Sequence, residues 1–72
     1  MPNPNDYQIH IWYSHDPGDE CFIAQVVEWP TIAAWGETRE QAAREIQIAL
    51  ELALGSAADA GVEPPAPRLA HA

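Results

Sequence analysis

Four side chains able to ligate a metal, His10, His15, Asp16 and Cys21, stand near one another in the first third of the sequence. Zinc needs three or four such groups converging tetrahedrally, usually from compact spacings such as C-x-x-C. Neither that spacing nor H-x-x-x-H occurs, so no metal centre is expected. Cys21 with a histidine offers the residue types of a thiolate–imidazole pair. A single Cys inside an apolar run is more simply a small buried hydrophobe. Gly36 precedes a helical pattern, but one glycine does not make a phosphate cradle, and the adjacent Glu37 repels an anion. Eleven Asp and Glu residues supply carboxylates for a two-metal nuclease, which needs several converging from strand ends and helix faces. The first strand-like stretch, Tyr7 to Ser14, contains no acid. Glu28, Glu37, Glu40 and Glu45 read as a solvated surface. The chain is therefore expected not to be an enzyme and to use no cofactor.

The elements that would position these residues follow from periodicity. In Tyr7 to Ser14, Tyr7, Ile9, Ile11 and Tyr13 alternate with Gln8, His10, Trp12 and Ser14, which predicts a half-buried strand. Pro17-Gly18 marks a turn. Cys21 to Trp29 reads as a second strand, with Phe22, Ala24 and Val26 on one face and Cys21, Ile23, Gln25 and Val27 on the other. Trp29-Pro30 ends it. Thr31 to Trp35 forms a short third strand anchored by Trp35, and Gly36 permits the turn into a helix. Thr38 with Gln41 fits a capping box, and Glu37 and Glu40 suit the positive end of the helix dipole. Strong helix formers run from Arg39 to about Leu54. Gly55 is a plausible stop, with Gly61 the limit if the helix continues. Ala42, Ala43, Ile46, Ala49, Leu50 and Ala53 make the stripe that covers the sheet.

The fold class this predicts is α+β: two layers, with a three-stranded antiparallel sheet followed by one covering helix, and a possible fourth short strand at Arg68 to His71. Residues 1–6 read as an N-terminal tail, 7–61 as the domain and 62–72 as a Pro-rich C-terminal segment. One helix covers one face of a sheet. Trp12, Ile23 and Val27 are left for the other face, where exposed apolar groups mark a contact surface. Glu28 and Trp29 at the following turn complete the candidate partner-binding set. Ile48 and Leu52, one turn apart on a separate flank of the helix, are candidate oligomer contacts.

A chain of 72 residues builds one thin core, since a domain this small buries only about 60% of its unfolded surface. The single Cys21 excludes an internal disulfide and points to a reducing, cytoplasmic setting. "MPNPNDYQ" lacks the basic and apolar regions of a signal peptide, and no apolar run approaches the roughly 18 residues of a membrane span. Self-association into a dimer or tetramer is the expected source of extra stability. The net charge of −8, with three arginines and no lysine, opposes direct nucleic-acid binding, which requires Lys and Arg on phosphates. It suits a basic protein partner.

The segment "AQVVEWPTIAAWGET", Ala24 to Thr38, resembles the HicB-like antitoxin domain of toxin–antitoxin systems. That family typically reads A-E-V-P-E-L-P-G-C-V-A-H-G-D-T followed by x-E-E-A. Ala24, Val26, Glu28, Pro30, Gly36 and Thr38 match it directly, Glu37 stands for Asp, and "REQA" for x-E-E-A. "GVEPPAP" is similar to the family's G-x-x-I-P-x-P ending. Val27 and Thr31 depart from the usual Pro and Gly. The resemblance spans about Tyr7 to Pro67. It implies a β-β-β-α-β arrangement akin to part of the RNase H fold, and a function in which a small basic HicA-like toxin that cleaves RNA is neutralised by protein contact. Many members also carry a C-terminal DNA-binding domain, which the end of this sequence at Ala72 leads us not to expect. The alternative is a solitary homo-oligomer of the same fold, with a regulatory or scaffold role and no toxin.

Overall fold

The computed structural model describes residues 3–18 and 20–67. A short 3-10 turn, Pro4–Asp6, leads into strand β1 (Ile9–Ser14), β2 (Cys21–Val26), β3 (Ala33–Gly36) and a single helix, α1 (Arg39–Ala60). The strands form one antiparallel sheet in the order β1-β2-β3. The α+β, β-β-β-α architecture is therefore the one expected. The possible fourth strand at Arg68 to His71 lies outside the described residues.

Alternation sets the two faces of the sheet. Ile9 pairs with Val26, Ile11 with Ala24 and Ala24 with Ala34, and all five pack in or against the core that α1 covers. The helix contributes Ala42, Ile46, Leu50, Leu54 and Ala57, all buried. These follow the i, i+4 row that lies over the sheet. Leu54 thus belongs to the buried stripe, while Ala43, assigned to it from the sequence, is exposed. Burying a side chain such as Ile46, Leu50 or Val26 stabilises by about 1.5–3 kcal/mol. Among the described residues, three of the eight buried apolar ones are alanines, so the core remains thin.

The junctions are built from turn chemistry. Gly18 sits at φ 85° in the β1–β2 loop, a conformation that favours glycine. Strand β2 stops at Val26, earlier than the expected Trp29, because two consecutive turns take over. The Trp29 N–H donates to the Val26 carbonyl at 3.2 Å, and the Ile32 N–H donates to the Trp29 carbonyl at 2.9 Å. Pro30 occupies the second position of the latter turn, where its fixed φ fits. Trp29 packs against the core from this turn.

At the other end of β3, Gly36 is buried, and a Cβ placed on it would lie 2.6 Å from the Ala42 backbone nitrogen. Glycine is required there for space, so that the first turn of α1 can lie directly on the strand. Thr38 caps the helix: its Oγ1 accepts from the Gln41 N–H at 3.0 Å. The Gln41 Oε1 in turn accepts from the Glu37 N–H at 2.7 Å. This reciprocal pair resembles the expected capping box, shifted by one residue.

The helix passes through Gly55 and ends only at Ala60. Gly61, at φ 69°, donates to the Ala58 carbonyl and Val62 to the Ala57 carbonyl, which is the Schellman pattern of helix termination. Beyond it, the Pro-rich segment returns towards the start of the chain. The buried Tyr7 hydroxyl donates to the Pro65 carbonyl.

Candidate functional site

The face of the sheet opposite α1 is the surface with most to offer a ligand. The register aligns Trp12 with Ile23 and Ile23 with Trp35, so the three side chains form one row across all three strands. His10 and Trp12, two apart on β1, lie against each other with ring centroids 4.8 Å apart and planes tilted by 40°. Trp12 and Ile23 are half-buried, whereas Trp35 is 67% exposed. No helix or strand among the described residues packs over this row.

The sequence reading made Trp35 an anchor of the third strand, and the structure corrects this. Ala34 faces the core, so its neighbours Ala33 and Trp35 face away from it. The signal was present in the alternation of β3.

Of the candidate partner-binding residues, Trp12 and Ile23 meet in this row. Val27, Glu28 and Trp29 are at the other end of β2, past its last residue. Val27 is exposed and its N–H donates to the Gln8 carbonyl at 2.9 Å. The Glu28 carboxylate accepts from the Gln8 N–H at 3.0 Å. Burial, with the Glu28 charge adding to it, holds the Tyr7 phenol above its ordinary range, so Tyr7 remains a neutral donor to the tail at neutral pH. Ile48 and Leu52 are both exposed on α1, away from the helix residues that pack on the sheet.

Beside the Ile23–Trp35 pair lies an open hollow of about 590 Å³, lined by Ile23, Ala33 and Trp35 and by the acidic residues Asp16, Glu20 and Glu37; the Glu20 carboxylate itself accepts from the Tyr13 hydroxyl at 3.4 Å, on the helix side of the sheet. A second hollow of about 400 Å³ continues past the same Trp35 to Gln41 and Glu45 of α1. Among the described residues, no Lys or Arg lines either hollow. Ser14, from the same face of β1, is buried here, and its Oγ accepts from the Asp16 N–H at 3.5 Å.

The groups that could do covalent or metal chemistry are dispersed. His10 pairs with Gln25 while Cys21 pairs with Ser14, which places His10 and Cys21 four residues apart along the sheet, about 13 Å. His15 lies edge-on to Tyr13, 4.8 Å between centroids. Among the described residues, no group of three or more His, Cys, Asp and Glu side chains could hold a metal ion. Among them, too, no helix is long and apolar enough to cross a membrane. Comparison of the chain with family models, with curated proteins and with solved structures finds no match.

Proposed function

We propose that this chain is a non-catalytic binding module of the HicB-like antitoxin kind, which neutralises a small basic RNA-cleaving toxin by protein–protein contact. The observation that carries the reading is the row Trp12–Ile23–Trp35 on the uncovered sheet face. Tryptophans on an apolar surface, here the half-buried Trp12 and the exposed Trp35, are the side chains from which binding energy is most often drawn. The β-β-β-α order with Gly36-Glu37-Thr38 at the strand-to-helix junction supports the resemblance. The net charge of −8 supports a basic protein as partner, and opposes a nucleic acid, whose phosphates it would repel. A cytoplasmic setting, in line with the single free Cys21, completes the proposal.

Ile48 and Leu52 favour a second reading. Their exposure on the helix gives the chain an apolar patch through which copies associate as a dimer or tetramer. A homo-oligomer of this kind, with a regulatory or scaffold role, needs no toxin.

Recovery of the tagged full-length chain from its native host separates the two readings. The antitoxin reading expects a small basic protein to co-elute in fixed ratio, identified by mass spectrometry, and its RNA cleavage to stop when the chain is added back. Recovery of the bait alone as a defined oligomer overturns that reading in favour of the second.

A further inference from the structure

Trp35 is the wall shared by both hollows, and each hollow combines an apolar lining with carboxylates. This combination restricts what the uncovered face accepts. An anion is repelled by the acidic residues that line it, Asp16 and Glu37 foremost. A second copy laid face to face would set these acids against their counterparts, with each chain already at −8. A purely apolar segment would strip water from the carboxylates without replacing their hydrogen bonds, which is costly. Among the described residues no Lys or Arg lines the space: lysine is absent from the sequence, and the Arg39 guanidinium lies over the Phe22 ring, 5.0 Å from its centroid.

We propose that this groove takes an arginine side chain from a basic protein partner, with its guanidinium stacked on the Trp35 indole and its N–H groups donating to Glu37 and the neighbouring carboxylates. The inference rests on the reading of the chain as a binder of a basic protein, and it names the chemistry of that contact. Arginine satisfies both parts of the groove. Its planar, weakly hydrated cation stacks on an indole, and its fork of donors matches carboxylates. Lysine brings a compact, strongly hydrated charge that gains less from the ring. The partner's arginine stem lies along Ile23 and Ala33, as long cationic side chains do on apolar surface.

The test titrates the isotopically labelled full-length chain with a capped tetra-arginine peptide, alongside tetra-lysine and tetra-citrulline peptides of the same length, and follows the Trp35 indole N–H by NMR. Tetra-arginine is expected to shift that resonance most, tetra-lysine to bind more weakly, and tetra-citrulline not to bind. Glu37→Gln is expected to weaken tetra-arginine about fivefold, the upper range for an exposed charged contact. Trp35→Leu, followed by the backbone amides of Ile23 and Glu37, is expected to weaken it by a similar factor of about five through loss of the cation–π contact. Glu51→Gln and Glu63→Gln, distant from the groove, serve as controls and leave binding within twofold. Equal weakening by the control variants, or shifts on the helix acids with the Trp35 indole unmoved, overturns the proposal in favour of diffuse attraction to an acidic surface. A basic partner captured from the host whose affinity is unchanged by Glu37→Gln and Trp35→Leu overturns the groove and leaves the antitoxin reading standing. Binding of tetra-arginine as expected, with no basic partner in the host, supports the groove and removes the antitoxin reading.

Discussion

Replacing Gly36 with alanine perturbs the junction on which the two layers meet. The new Cβ would lie 2.6 Å from the Ala42 nitrogen and 2.9 Å from both the carbonyl carbon and the Cβ of Gln41. Ordinary carbon contacts begin near 3.5 Å, so the first turn of α1 must retreat by about 1 Å, and its atoms are mainly backbone, which cannot rotate aside. That retreat loosens Ala42 against β3 and disturbs the Thr38 cap. Overpacking of this kind costs about 1–3 kcal/mol. A chain of 72 residues has roughly 4–11 kcal/mol of stability in total, so the loss is a large share. At 2 kcal/mol the expected fall in Tm is roughly 8–16 °C. Thermal unfolding followed by far-UV circular dichroism, with urea unfolding to show an unchanged m-value, measures it. A change under about 0.5 kcal/mol, the size expected of an ordinary surface substitution, would refute the claim that close approach of helix to strand fixes this residue.

Gly55→Ala has the opposite sign, because nothing lies within 4 Å of a Cβ at that position; the helix should gain about 0.5–1 kcal/mol, and a lowered urea midpoint would contradict this. Tyr7 has its phenol pKa raised above 10.0 in the folded chain by burial and then by Glu28. The unfolded chain therefore loses its proton first, so the Tyr7 contribution is complete below pH 10.0 and is lost as pH rises through the folded value. Stability curves from pH 8 to 12 should fall less steeply for Tyr7→Phe than for the parent. Replacing Ile48 and Leu52 together with glutamate should reduce any oligomer to monomer on a sizing column with light scattering and lower the Tm by the stability that association supplies; an unchanged oligomer would place the subunit contact elsewhere.

The strands were legible because period-two alternation is strong in Tyr7 to Ser14 and around Ala24. Both faces of β1 and β2 were read correctly, and with them the placement of Trp12 and Ile23 on the side away from the helix; their register was not. Three features depended on competition between local and tertiary terms. Gly55 reads as a helix stop on propensity alone, a cost of about 1 kcal/mol, but burial of Leu54 and Ala57 and the termination at Gly61 outweigh it. Strand β2 was drawn too long because Val27 to Trp29 continue the β-favouring composition, whereas turn hydrogen bonds decide its end. The third feature, the carboxylate-rimmed hollow at Trp35, joins Asp16 and Glu20 of the first loop to Glu37 at the start of the helix. Residues so far apart in sequence are brought together only by the order β1-β2-β3, and no local spacing announces them.

The proposed role is neutralisation of a basic RNA-cleaving protein by the sheet face that carries Trp12, Ile23 and Trp35. The most direct measurement is a titration of that protein's RNA cleavage with the full-length chain, run in parallel with a Trp12→Ala, Trp35→Ala variant whose thermal unfolding matches the parent. The account predicts that the parent abolishes cleavage at a fixed molar ratio and that the variant requires at least about tenfold more, as expected when interface tryptophans are truncated. Equal inhibition by the two chains, or no inhibition by the parent, would contradict it.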